Sequence, residues 1–223
     1  MNRISKDDFG MNAALNGLKE RGYYPDVVFD IGASDGSWTR SSLRFWPESV
    51  HYCFEPLDER QASLNKLKAE FEDHVHIIQG GLGDEDTELS LGITDSHWDS
   101  SFAYSGQLSR TVPVHRLDTL LENGLIVPPS FMKLDVQGFE RKVIEGGRQT
   151  ISRCDVALLE CQFFRFCESM CTLDVMIRFM SDLGFVPYEF VDFLRRPLDN
   201  AMGQCDILFV KRDCFLVSNS NWG

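Results

Sequence analysis

The amino-acid sequence predicts an α/β fold: a seven-stranded, mostly parallel sheet with helices on both faces and a β-rich insertion before the fourth main strand. Three observations carry that expectation. Short β-rich runs alternate with amphipathic helical segments along most of the chain, the pattern of a sheet covered on both sides. The first of those runs is followed at once by a glycine turn, "DIGASDG" at residues 30–36. One polar stretch, residues 84–128, breaks the alternation and holds two short strand-like runs of its own.

In chain order, residues 1–24 predict an N-terminal helical segment, and sheet runs follow at 27–31, 51–54, 76–79, 131–136, 156–161, 185–190 and 207–211. Between the second and third runs, Leu57, Leu64, Leu67 and Phe71 recur at spacings that put them on one helical face. The helix from Thr172 has both ends written locally: Thr172 as N-cap, Leu173, Met176, Ile177 and Met180 as an apolar stripe, and Gly184 just beyond. Within the insertion, 88–91 and 111–115 read as strands on either side of "TDSHWDSSFAYSGQ". Residues 218–223 are polar and lack a pattern, so they predict a loose tail. The 223 residues carry no repeat or low-complexity segment, and one domain over 1–223 is expected.

Composition narrows the function classes. The apolar share is 43% and the charged share 25%, ordinary for a globular domain. Against 22 Lys and Arg stand 34 Asp and Glu, a net charge of -12, which would repel nucleic-acid phosphates and anionic membrane surfaces. No stretch approaches the roughly 18 apolar residues that span a bilayer, and the N-terminus lacks a signal-peptide apolar segment, so a cytoplasmic chain is expected. Seven cysteines, an odd number in a chain of this size, argue for reduced thiols.

A glycine turn between a first strand and a first helix suits either a dinucleotide or S-adenosylmethionine. The dinucleotide fingerprint needs Gly-x-Gly-x-x-Gly, and after Gly32 this chain has Ala33, Ser34, Asp35, Gly36 and Ser37. Asp30 and Asp35 beside the turn would repel a pyrophosphate, whereas S-adenosylmethionine brings an ammonium and a sulfonium. Glu55, at the end of the second run and followed by Pro56, can accept both ribose hydroxyls of either ligand. The competing reading is structural: Asp30, Gly32 and Gly36 shape a turn and Glu55-Pro56 starts a helix.

In order along residues 26–161 stand "VVFDIGASDGSWT", "CFEPLDERQASLNKL", "GGLGDEDTELSL", "VHRLDTLL" and "FMKLDVQGFERKVIEGG". Together they resemble the FkbM family of S-adenosylmethionine-dependent methyltransferases. The resemblance implies the Rossmann-like class I methyltransferase fold, with the last of its seven strands antiparallel, and O-methylation of a hydroxyl on a saccharide or secondary metabolite. It also implies that Asp30, Gly32 and Gly36 line the methionine moiety, Glu55 the ribose, and Gly81, Leu82 and Asp84 the adenine. Asp135 matches the position facing the transferred methyl. Family members commonly have Glu where this chain has Gln137.

Methyl transfer to an alcohol is an in-line displacement, which needs alignment of the hydroxyl and gains from a base that takes its proton. Asp135 is the first candidate base because it closes the fourth main strand; a carboxylate capping the next helix is the equally simple alternative. Glu140, in the first turn of that helix, and Glu160, at the end of the next strand, follow. His115, with Trp98 and Ser101 of the insertion, are candidate contacts to a small-molecule or glycan acceptor, aromatic faces and short hydroxyls being what a sugar ring needs. Cys161, Cys167 and Cys171 contain no Cys-x-x-Cys pair and are read as small buried hydrophobes, so no metal site is expected. Two other functions compete: a module that binds S-adenosylmethionine without turnover, and a nicotinamide-dependent oxidoreductase.

Overall fold

A computed structural model of the chain describes residues 10–93, 101–102, 108–167, 170–219 and 221. His97, Trp98, Tyr104, residues 1–9 of the N-terminal segment and three of the six tail residues, 220, 222 and 223, lie outside the described residues. The chain opens with α1 (Met11–Glu20), then alternates β1 (Val27–Ile31), α2 (Ser37–Phe45), β2 (Val50–Glu55), α3 (Asp58–Phe71) and β3 (Val75–Gln79). The insertion adds β4 (Gly81–Leu82), β5 (Thr87–Ile93), β6 (Leu108–His115) and α4 (Leu117–Glu122). There follow β7 (Phe131–Leu134), α5 (Glu140–Glu145), α6 (Arg148–Ile151), β8 (Val156–Gln162), α7 (Leu173–Asp182), β9 (Phe185–Arg195) and β10 (Met202–Lys211).

The main sheet has seven strands in the order β3-β2-β1-β7-β8-β10-β9, and β10 alone runs against the others. The class I methyltransferase fold implied by the sequence is therefore the fold observed. Its central strands are buried on both faces, which is why they read as apolar runs rather than alternations. On one face Ala14, Leu15 and Leu18 of α1 meet Val28, Phe131, Val156 and Leu208, while Leu43 of α2 and Leu64 and Leu67 of α3 cover Cys53 and Val75. On the other face Phe29, Ile31, Met132, Leu134 and Leu159 pack against Val143 of α5, Ile151 of α6, and Met176 and Met180 of α7.

The order reverses between β1, which leads outward to β2 and β3, and β7, which leads to β8. Such a switch point opens a crevice at the carboxyl ends of the strands. The insertion forms a second sheet, β4-β6-β5, whose β4 follows β3 directly and so lies beside that crevice. The seven cysteines are free thiols; Cys161 is buried as expected, whereas Cys167 and Cys171 are only half-buried, on the irregular segment between β8 and α7. Thr172 holds the N-cap position of α7 with extended backbone, but its hydroxyl donates to Asp174 rather than capping the helix. Among the described residues no helix is long and apolar enough to cross a membrane, and no three His, Cys, Asp or Glu are grouped to hold a metal ion.

Candidate functional site

The glycine turn is built by close approach. Gly32 has φ +78°, and a Cβ added there would lie 2.0 Å from the backbone oxygen of Asp135, so only glycine lets the end of β1 press against the end of β7. The N–H groups of Gly32 and Ala33 both donate to the carbonyl of Phe54 at 3.1 Å, tying the turn to β2. Gly36 starts α2 and packs on Leu64 and Leu67, away from the crevice.

The crevice is a cavity of about 990 Å³ of empty space, partly open to solvent. Gly32, Glu55, Pro56, Gly81, Leu82, Ser101 and Asp135 line it. Asp30, Gly36, Asp84, His115, Glu140 and Glu160 are not among its lining residues. So seven of the sequence-derived candidates meet in one cavity, and these six do not line it.

Glu55 is fixed by backbone donors: Ser34 N–H reaches Oε2 at 2.8 Å and Leu57 N–H reaches Oε1 at 2.9 Å. Each oxygen keeps a further lone pair for a ligand hydroxyl. Burial pushes the Glu55 carboxyl above its ordinary range, and those two backbone donors oppose the rise.

Asp30 is wholly buried, takes a hydrogen bond from the Thr39 hydroxyl at 2.7 Å, and pairs with the Lys133 ammonium at 3.2 Å. Parallel pairing puts Asp30 opposite Lys133, and two residues on, the same face of β7 leads to Asp135, 3.4 Å from that ammonium. Lys133 also donates to the Gly32 carbonyl at 3.0 Å. Burial alone would push the ammonium down; Asp30 and then Asp135 outweigh it and hold the group well above the ordinary lysine range, fully charged. The negative charge of Asp30 is thus neutralised internally, and among the described residues Glu55 and Asp135 are the carboxylates that line the cavity.

Asp135 lies one residue beyond β7 and does not cap α5. Glu140 does the local bracing instead: its Oε1 accepts the N–H groups of Val136 and Gly138, both at 3.1 Å, and burial raises its carboxyl to about 7. Gln137 has φ +54° and donates to Asp135 Oδ1 at 2.9 Å and Glu160 Oε2 at 3.3 Å, while its carbonyl accepts the Ser101 hydroxyl at 2.7 Å. Glu160 also receives amide donors from Gln162 and Gln204. Burial, followed by the nearby Asp135 and Glu140, raises its carboxyl to about 9.

Asp84 forms an ion pair with Lys142, and His115 packs beside Gly80. Sequence reasoning missed Lys133, although a lysine two residues before Asp135 on a strand shares its face, which is a readable signal. It also missed Ser34 and Trp38, both of which line the cavity.

Comparison with known proteins adds independent findings. The family model for the methyltransferase FkbM domain matches residues 30–187. The 2-O-methyltransferase NoeI of Sinorhizobium fredii is 29% identical over 150 residues, covering 58% of this chain and 60% of that protein. Hexuronic acid methyltransferase AglP of Haloferax volcanii is 23% identical over 155 residues, covering 70% of this chain and 64% of that protein. The matches thus span about three fifths of the length of these curated relatives. Methyltransferase FkbM from Methylobacillus flagellatus superposes with a TM-score of 0.55 at 13% identity, over 82% of this chain and 43% of that one. Magnesium protoporphyrin IX methyltransferase from Synechocystis, solved with bound S-adenosylmethionine, gives 0.54 at 11% identity, over 90% and 77%. At those identities the two structures speak for the fold.

Proposed function

The chain belongs to the FkbM family of methyltransferases, and from that premise we propose that it moves the methyl group of S-adenosylmethionine to a hydroxyl of a saccharide or secondary metabolite. The observation that carries this reading is one cavity with a carboxylate at either end of the strand switch point, Glu55 on β2 and Asp135 after β7. Glu55, held by two backbone donors, suits the two hydroxyls of a ribose. Gly81 and Leu82 of β4 would flank the adenine, and Gly32 leaves room for the methionine arm.

When bound, the cofactor supplies an electrophilic methyl on a sulfonium. Asp135 would take the proton from the acceptor hydroxyl as the new C–O bond forms and the C–S bond breaks, leaving a neutral thioether and a protonated carboxyl. Lys133 and Gln137 would hold the two oxygens of that carboxylate in place. A saccharide acceptor is favoured by the name of one curated relative, a hexuronic acid methyltransferase, and an oxygen acceptor by that of the other, a 2-O-methyltransferase. Ser101, which lines the cavity and donates its hydroxyl to the Gln137 carbonyl, is a candidate contact for its hydroxyls.

Thermal unfolding with S-adenosylmethionine, S-adenosylhomocysteine and NAD tests the cofactor. A ligand at about 100 times its Kd adds about 2.7 kcal/mol, a rise of several degrees for a domain of this size. The first two should raise the midpoint and NAD should not. Glu55→Gln should weaken S-adenosylhomocysteine by about 1.5 to 3 kcal/mol, the scale of hydrogen bonds to a charged group. Unchanged affinity would remove Glu55 from the ribose site. With uronic acids and methyl glycosides as acceptors, Asp135→Asn should cut turnover by about 10² to 10⁴ while sparing cofactor affinity.

A further inference from the structure

We infer that Glu160 is a positioning residue for methyl transfer: its buried carboxyl anchors the Gln137 side chain, which orients the Asp135 carboxylate, an assignment that rests on the methyl-donor reading above. A primary amide nitrogen carries two hydrogens. Gln137 Nε2 lies 2.9 Å from Asp135 Oδ1 and 3.3 Å from Glu160 Oε2, so one hydrogen serves each carboxyl. The bridge joins two different environments. Asp135 and Gln137 line the cavity, whereas Glu160 is only 6% exposed and does not.

The anchor is itself held from two strands. Gln162, two residues further along β8 and so on the same face, donates to Oε1 of Glu160 at 2.6 Å. Gln204 of β10, paired with Gln162 in the antiparallel ladder, donates to Oε2 at 3.0 Å. Three amides thus converge on one carboxyl, and of the three Gln137 alone reaches the cavity. Every residue of β8 is buried, and in such a strand an apolar side chain would serve stability at least as well as a hydrogen-bonded acid. What the network supplies is direction. With Glu160 gone, one of the two amide hydrogens of Gln137 would lose its acceptor and the side chain could rotate about the other. The two oxygens of Asp135 are gripped from opposite sides: Oδ2 by Lys133, backed by Asp30 of β1, and Oδ1 by Gln137, backed by Glu160 of β8. A base held on both sides cannot turn away from the hydroxyl it must deprotonate, and misplacement by about 1 Å costs up to about 10²-fold.

Turnover on uronic acids and methyl glycosides, with calorimetric titration of S-adenosylhomocysteine alongside, tests the anchor. Glu160→Leu should lower kcat about tenfold while affinity for S-adenosylhomocysteine stays within about twofold. Glu160→Gln still offers Gln137 a carbonyl and can face the unpartnered Oε1 of Gln162, so it should turn over at least about fivefold faster than Glu160→Leu. In a Gln137→Ala background, Glu160→Leu should cost less than about twofold more, because the anchor then has nothing to hold. Additive losses, or a Glu160→Gln as slow as Glu160→Leu, would overturn the assignment while leaving the methyl-donor reading intact. Glu160→Asp, which draws the carboxyl back by one methylene, carries the kinetic test should the leucine variant fail to fold; full activity there would likewise overturn it. Nuclear magnetic resonance gives a readout that needs no acceptor. The side-chain amide protons of Gln137, identified by their loss in Gln137→Ala, should exchange with water about tenfold faster in Glu160→Leu or Glu160→Asp than in the wild type. Unchanged exchange would overturn the anchor whether or not an acceptor is turned over, and failure of the wild type to bind S-adenosylhomocysteine would remove the methyl-donor reading and this role with it.

Discussion

Gln137 concentrates the chemistry of the site in one side chain. It adopts a left-handed backbone, uncommon for a residue with a side chain, and its amide spans Asp135 and Glu160. A Glu here, the residue the family resemblance leads one to expect, would lack a donor once ionised and would bring a third carboxylate to two others. Gln137 avoids that repulsion, which suits a neighbour such as Glu160, whose burial keeps its proton on at neutral pH. The buried and unpartnered Oε1 of Gln162 fits the same state, because rotating that amide would offer an acceptor to a protonated Glu160. Gln137→Glu should therefore lower the rate of methyl transfer about tenfold at pH 8, a loss typical of one misplaced positioning bond. Activity should recover as the pH is lowered, when the new carboxyl gains a proton and donates to Asp135 as the amide did. A rate deficit that is flat across pH 6 to 8 would show that Gln137 does not act through Asp135.

At the scale of elements, the site depends on two strand ends touching through Gly32. Gly32→Ala sets a methyl group against the Asp135 carbonyl and forces a side chain into positive φ. It should cost about 2 to 4 kcal/mol, or about 5 to 15 °C in Tm, and weaken S-adenosylhomocysteine as well. A Tm within about 2 °C of the wild type would mean that the turn can move away from β7 freely. This contact explains what the sequence could and could not reveal. Elements whose signal is local were legible: β1 as the run 27–31, the stripe of α7, and Glu55 at the end of β2. The hairpin of β9 and β10 was read too short, at 185–190 and 207–211, because Asp192, Gln204 and Asp206 interrupt its apolar pattern. Two-residue β4 was missed since Gly81 and Leu82 are too few to show a period. The ion pair of Asp30 with Lys133 joins residues that meet only through parallel pairing across a crossover, and the three amides around Glu160 converge only in three dimensions.

For the molecule as a whole, the buried acids set how stability follows pH. Glu160, raised from 4.5 to about 9, binds its proton more tightly folded than unfolded. Its contribution is fully present below pH 4.5 and is lost as pH rises to about 9. Glu140 and Asp206, both raised to about 7 chiefly by burial, act in the same direction and complete their loss near that value. His51 opposes them at the acid end. It is buried, with Nδ1 donating to the Ser49 carbonyl and Nε2 accepting from Ser42, and burial lowers it from 6.5 to about 4, so folding gains stability as pH rises through that interval. Three acids outweigh one imidazole, and Tm should fall as pH rises from about 5 to about 9. Within that fall, the part between pH 7 and pH 9 belongs to Glu160 among these four groups. The net charge of -12 adds a general repulsion that grows with pH, but it is present alike in any single-site variant that stays neutral at position 160. Calorimetric unfolding of the wild type and of Glu160→Gln at pH 7 and pH 9 isolates the acid, because glutamine keeps the shape and cannot ionise. The wild-type midpoint should drop more over that interval than the variant's. Parallel drops would mean that Glu160 is already ionised at pH 7, and that its three amide neighbours stabilise a carboxylate rather than an acid.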